Sequence, residues 1–140
     1  MNFLESIKTG IEKASQADIN IKQVNELLSS ISSELHSFTG KDIKLSKTVS
    51  TAGNIRKIAT AFEDNSTTRE FMDADQLSLI KDKQSLPVAK WRQNTGGFPC
   101  IITFDGSEYI CNEIGELAVA MKDLLSTTNF GKTLTKLMTD

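Results

Sequence analysis

Histidine, tryptophan and tyrosine each occur once in the 140 residues, and cysteine and proline twice each. Each scarcity excludes something. Two cysteines, Cys100 and Cys111, are too few for a disulfide scaffold and imply a reducing, cytoplasmic setting. A single histidine leaves no His-rich metal site. His36 lies between Leu35 and Phe38 without a carboxylate or cysteine near it in sequence, so it reads as an ordinary helix residue rather than a base. No apolar run approaches the ~18–20 residues that span a bilayer. The first ten residues alternate polar and apolar side chains at helical spacing and lack the cationic start and apolar block of a secretory signal. The hydrolase G-x-S-x-G, the phosphate-binding P-loop and the H-E-x-x-H zinc motif are all missing. The expectation is therefore a protein that is not an enzyme and that uses neither cofactor nor metal. Asp73 and Asp75 are the only close carboxylate pair weighed as metal ligands. Two residues apart on a helix, they point in different directions, so they read as solvated surface.

Charge of one sign is also missing. The net charge is −2, spread as −2 over residues 1–40, +3 over 41–93 and −3 over 94–140. An acidic total argues against a general nucleic-acid binder, which neutralises phosphates with a basic surface. Hydrophobic residues make up 39% and charged residues 24%, so the chain as a whole has the balance of a folded domain. At this length one domain over residues 1–140 is expected, with roughly 68–70% of the extended chain's surface buried.

What is present begins with helical periodicity. Leu4, Ile7, Ile11 and Ala14 recur three and four apart, and the stripe resumes with Ile21, Val24, Leu28, Ile31, Leu35 and Phe38. This is a narrow seam of the a/d kind, which packs either inside the chain or against a second copy. Asp18 or Asn20 is placed to cap a second helix, so the stripe belongs to two helices or to one with a phase slip. Gly40 marks the stop. Beyond it, Ile43, Leu45 and Val49 suggest a strand, and Ile55, Ile58, Ala59 and Phe62 a short helix. Thr67 and Glu70 have capping-box spacing for a helical turn through Phe71 and Ala74, and Leu77, Leu79 and Lys81 alternate as a strand.

After Pro87 the pattern is strand, loop and hairpin. Val88–Gln93 places Ala89 and Trp91 on one side and Lys90 and Arg92 on the other. Asn94-Thr95-Gly96-Gly97 is a loop. Pro99–Phe104 and Ser107–Asn112 flank Asp105-Gly106, a dipeptide suited to a two-residue type I′ turn. That turn pairs Phe104 with Ser107, Ile102 with Tyr109 and Cys100 with Cys111 on the core side. Ile101, Thr103, Glu108 and Ile110 fall on the other side. Asn112 is the expected cap of a helix using Ile114, Leu117, Ala118, Met121, Leu124 and Leu125, and a last helix uses Phe130, Leu134, Leu137 and Met138. The fold class is α+β: a helical N-terminal third, a small antiparallel sheet with a hairpin at 99–112, and a C-terminal helix packed on the sheet.

The best local candidate for binding is Lys90, Trp91, Arg92, Asn94, Gly96 and Gly97, because cations, an aromatic, an amide and glycine N–H groups meet within eight residues. The reading that follows is a non-catalytic protein-interaction module of the inhibitor, immunity, chaperone or adaptor type, with a protein partner. An alternative is a nucleic-acid-associated regulator using Lys81, Lys83, Lys90 and Arg92. A further alternative is a small-molecule-binding domain. A homo-oligomer through Ile21, Val24, Leu28, Ile31, Leu35 and Phe38 is also open.

Overall fold

The computed structural model describes residues 2–61 and 70–139, with the side chains of residues 60 and 61 left aside. Helix α1 (Leu4–Thr39) leads into strand β1 (Ile43–Thr48) and helix α2 (Thr51–Ala61). Four strands follow, β2 (Gln76–Lys81), β3 (Gln84–Gln93), β4 (Cys100–Phe104) and β5 (Ser107–Cys111), then helices α3 (Ile114–Leu125) and α4 (Thr128–Thr139). The strands form one antiparallel sheet in the order β1-β2-β3-β4-β5. The α+β class holds, with a long N-terminal helix and C-terminal helices packed on the sheet.

Three helices share one face of that sheet. Val24, Leu28, Ile31 and Leu35 of α1 join Leu117, Met121 and Leu124 of α3 and Phe130 and Leu137 of α4. They meet Ile43, Leu45, Leu77, Leu79, Trp91, Ile102 and Cys100 from the strands. Most of the seam proposed for self-association is thus used inside the chain. Ile21 is half-buried and only Phe38, 78% exposed, remains outside. The reason is the neighbouring strand: β1 supplies Ile43 and Leu45 directly after the Gly40 stop, close enough to cover the seam at once. Gly40 takes a left-handed conformation, φ 70°, and its N–H donates to the His36 carbonyl.

Several boundaries differ from the sequence pattern. The N-terminal stripe belongs to one helix, because Asn20 does not cap; its side-chain amide donates to the Gly96 carbonyl at 3.1 Å instead. Strand β3 begins before Pro87. The two-residue turn makes Lys81/Gln84 and Leu79/Leu86 the hydrogen-bonded pairs, so Pro87 opposite Ser78 is at a position that needs no N–H; Leu77 then faces Ala89, leaving Val88 as the extra residue of a bulge. The helical turn expected through Phe71 and Ala74 is absent. Phe71 pairs with Asn94 in an isolated bridge, Met72 N–H donates to the Gln93 carbonyl and Asp75 N–H to the Thr48 carbonyl. Backbone pairing to β3 and β1 thus overrides the local signal; Thr67, the first residue of the box, lies outside the described residues. Helix α3 is entered through Glu113 in extended conformation, φ −151°, and the Asn112 N–H donates to Glu116 Oε1 rather than Asn112 capping.

The hairpin register is the expected one, residue for residue, from Phe104↔Ser107 to Cys100↔Cys111. Asp105 and Gly106 supply the two positive φ angles, 51° and 76°.

Candidate functional site

Strand alternation decides which residues of the candidate stretch reach the surface. Trp91 is fully buried among the helices, and its indole N–H has no hydrogen-bond partner among the described residues. Lys90 and Arg92 point the other way and are exposed, while Asn94 is half-buried. The register then builds two rows across the uncovered face. Arg92 lies beside Ile101, which lies beside Ile110; Lys90 lies beside Thr103, which lies beside Glu108. The Arg92 guanidinium sits 4.2 Å from the centre of the Phe71 ring, a cation–π contact that holds the cation over the sheet. Ile110 ends its row 56% exposed.

The glycine loop has a different task from the one its composition suggests. Gly97 is buried at φ 96°, and a Cβ there would sit 2.3 Å from Asn20 Cβ. Its N–H donates to the Asn94 carbonyl, and the Gly96 N–H donates to Asn94 Oδ1, both at 2.8 Å. Neither donor is turned to a ligand. The Gly97 carbonyl accepts from Gln93 Nε2 and Cys100 Sγ, each at 3.3 Å, and Lys47 Nζ donates to Gln93 Oε1 at 3.1 Å. The loop is a cradle that seats α1 at Asn20, closed over a buried polar chain. Burial holds the Lys47 ammonium below the usual lysine range.

Helix α2 borders the open face from the β1 side. Ser50 precedes it and accepts the Gly53 N–H on Oγ at 3.0 Å, an N-cap bond. Asp75 accepts the Ser50 N–H at 2.7 Å, the Ser50 hydroxyl at 2.5 Å and Arg56 Nη2 at 3.0 Å. Burial pushes the Asp75 carboxyl up, but the Ser50 and Arg56 hydrogen bonds outweigh it and hold the group below the usual aspartate range. Asp73 and Asp75 therefore do not act as a pair, since Asp75 is fully engaged. No group of three metal-ligating side chains forms among the described residues. The cavity between α2 and the sheet has a volume of about 1140 Å³ and is lined by Arg56, Phe71, Lys90, Arg92, Ile101 and Glu108 among others.

The sheet's two edges also differ. At β1, the Leu45 N–H donates to Ser32 Oγ at 3.0 Å, and the same hydroxyl reaches the Leu45 carbonyl at 3.4 Å, so α1 caps that edge at Leu45, near its middle. At β5, the type I′ turn makes Phe104/Ser107, Ile102/Tyr109 and Cys100/Cys111 the hydrogen-bonded pairs. The main-chain N–H and C=O groups of Glu108 and Ile110 then point away from β4, along the outer edge.

Both cysteines are free and buried. Burial, and then the nearby Cys111, push the Cys100 thiol up to about 12; burial, and then Glu116, raise Cys111. Neither is a nucleophile at neutral pH. Exposed His36 places Nδ1 3.1 Å from the Lys41 carbonyl. Of the four cations considered for nucleic acid, Lys81 donates to the Leu137 carbonyl on the helix-covered side, while Lys90 and Arg92 occupy the opposite face.

No helix among the described residues is long and apolar enough to cross a membrane. No family model matches the chain, and neither a curated protein nor a solved structure matches it. The residues that sequence reasoning missed at the open face are Phe71, Ile101 and Ile110. The hairpin register had already put the two isoleucines on the outer side. What the pattern could not show is that, among the described residues, no helix packs directly on that side and α2 stands off it across a cavity.

Proposed function

We propose that this is a non-catalytic protein-interaction module that docks a segment of a partner protein on the open face of β3–β5, beside the free β5 edge. The observation that carries the reading is the row Arg92–Ile101–Ile110, on which no described helix packs, a cation clamped on Phe71 followed by two isoleucines. Such a row offers apolar contact with a charge at one end, and the unpaired edge next to it offers main-chain hydrogen bonds of the strand-addition kind. The cavity is a broad groove lined by charges of both signs, which suits a polar macromolecular segment. The nucleic-acid alternative has weaker support because its cations do not share one surface: Lys81 is on the helix-covered side, Lys83 in the β2–β3 turn, and Lys90 and Arg92 on the open face. Two buried, reduced thiols fit a cytoplasmic setting.

Site-specific photo-crosslinking tests this reading. A photoreactive residue at position 110 should give a discrete adduct with one cellular protein. The same residue at position 119, an equally exposed site on α3, should not. Equal labelling from both positions, or none from position 110, would contradict it.

A further inference from the structure

The first half of α1 leaves the sheet. Every side chain from residue 2 to residue 16 is exposed, and the helix meets the body only from about Asn20, where the Gly96–Gly97 cradle begins. Residues 4–19 therefore form a free helical arm of about 24 Å. Helices of this length in water owe most of their stability to packing, and this one carries a glycine at position 10. Yet Phe3 is 63%, Leu4 52%, Ile7 58% and Ile11 65% exposed.

Because α1 is one helix, its spacing can be followed through without a break. Phe3, Ile7, Gly10, Ala14, Ala17, Ile21, Val24, Leu28, Ile31, Leu35 and Phe38 alternate four and three apart along its whole length. The seam that packs on the sheet thus runs out along the arm on the same face, flanked there by Leu4 and Ile11. Its sizes are polarised: bulky at Phe3 and Ile7, small at Gly10, Ala14 and Ala17.

We propose that the arm pairs with the arm of a second copy of this chain, antiparallel, with Phe3 opposite the second copy's Ala14 and Ile7 opposite its Gly10. Each of the four layers then joins one large side chain to one small one, as close packing requires. Leu4 and Ile11 of the two copies flank these layers on one side, and Ser6 meets Lys13 on the other, so no like charges oppose. Glu5, Lys8 and Glu12 fall on the far side of the helix. A parallel pair would instead set Phe3 on Phe3 and Gly10 on Gly10, splayed at one end and empty at the other. In the antiparallel pair the second copy's Asn20 lies about 9 Å beyond Phe3, so the sheet bodies clear one another. Two crossed arms bury less than about 1,200 Å², the low end for specific contacts, which sets the expected dissociation constant on the order of micromolar. This surface is separate from the open sheet face and does not depend on it.

Sedimentation of the full chain from about 1 µM to several hundred micromolar tests the pairing. The expected result is a monomer–dimer equilibrium, with dimerisation weakened at least tenfold by the double variant Ile7→Glu, Ile11→Glu, whose circular dichroism and denaturation midpoint stay close to wild type. Orientation is read by mixing chains carrying Ser6→Cys with chains carrying Lys13→Cys under mild oxidation. A mixed 6–13 disulfide is expected. A chain that stays monomeric throughout, a monomer that shifts only when another protein is added, a double variant that still dimerises, or predominant 6–6 bridging would overturn the proposal.

Discussion

The two faces of the same five-stranded sheet are built from alternate residues of the same strands, yet they have opposite characters. One carries Trp91, Ile102, Leu77 and Leu79, all fully buried under three helices. The other carries Lys90, Arg92, Ile101, Thr103, Glu108 and Ile110, half-buried or exposed and bordered, among the described residues, by α2 and the segment 70–75. The edges differ in degree: Ser32 satisfies the main chain of Leu45 on β1, whereas no described residue pairs with the outer main chain of β5. A side chain's contribution to stability and its availability to a partner are thus separated by one residue along β3. The difference teaches that the face, rather than the local composition, decides which of Trp91 and Arg92 belongs to which task.

The largest expected effect breaks that contrast at β3. Trp91→Ala removes a fully buried ring and should destabilise by about 3–5 kcal/mol, whereas Arg92→Ala, which loses only the exposed contact with Phe71, should cost about 0.5–1 kcal/mol. Urea denaturation of the pair checks this, and comparable losses would erase the distinction between the faces.

Next come two glycines of similar backbone and different surroundings. Gly97→Val meets both a positive φ and the Asn20 side chain, so roughly 2–4 kcal/mol is expected. Gly106→Val meets the strained φ alone, with nothing within 4 Å of an added Cβ, so roughly 1–3 kcal/mol is expected. Midpoints in the reverse order would mean that the Asn94–Gly97 loop does not seat α1.

The acid-sensitive part of the structure should lie on the open side. The Asp75 pKa is depressed in the folded state, so its contribution is present above the unfolded value near 3.9 and is lost as pH falls through the lower folded value. Asp75→Asn should cost about 1–2 kcal/mol at pH 7, and its gap to wild type should close below about pH 4. A gap that is constant with pH would show that the Ser50–Asp75–Arg56 bonds do not depend on ionisation.

The smallest effect is the absence of one. Cys100 and Cys111 should resist thiol reagents at pH 7–8 while the protein is folded and titrate as two free groups once it is denatured. Rapid labelling of the native protein would place a thiol outside the core.

Much of this was legible in the residues. Asp105-Gly106 allows a two-residue turn or a three-residue loop with a glycine bulge, and gathering the apolar side chains of β4 and β5 on one face selects the first, which is the register observed. Alternation in Val88–Gln93 placed Trp91 and Arg92 on opposite sides. Other features depend on contacts distant in sequence. Gly96 and Gly97 resemble a ligand loop until Asn20, more than seventy residues away, is seated against them. Phe71 reads as helical because its pairing with Asn94 reaches across the whole β2–β3 hairpin. The bare face itself has no sequence signature, since a strand reads alike whether its polar side meets water or a partner.

The central claim is that the open face binds a partner and the covered face holds the fold. Quantitative co-purification from the native source tests it most directly, comparing wild type with the double variant Arg92→Glu, Ile110→Asp. The account predicts that a protein recovered in stoichiometric amount with wild type is lost with the variant, while the unfolding free energy falls by no more than about 2 kcal/mol, short of the loss from Trp91→Ala. Undiminished recovery with the variant, or a loss of stability as large as that of Trp91→Ala, would contradict it.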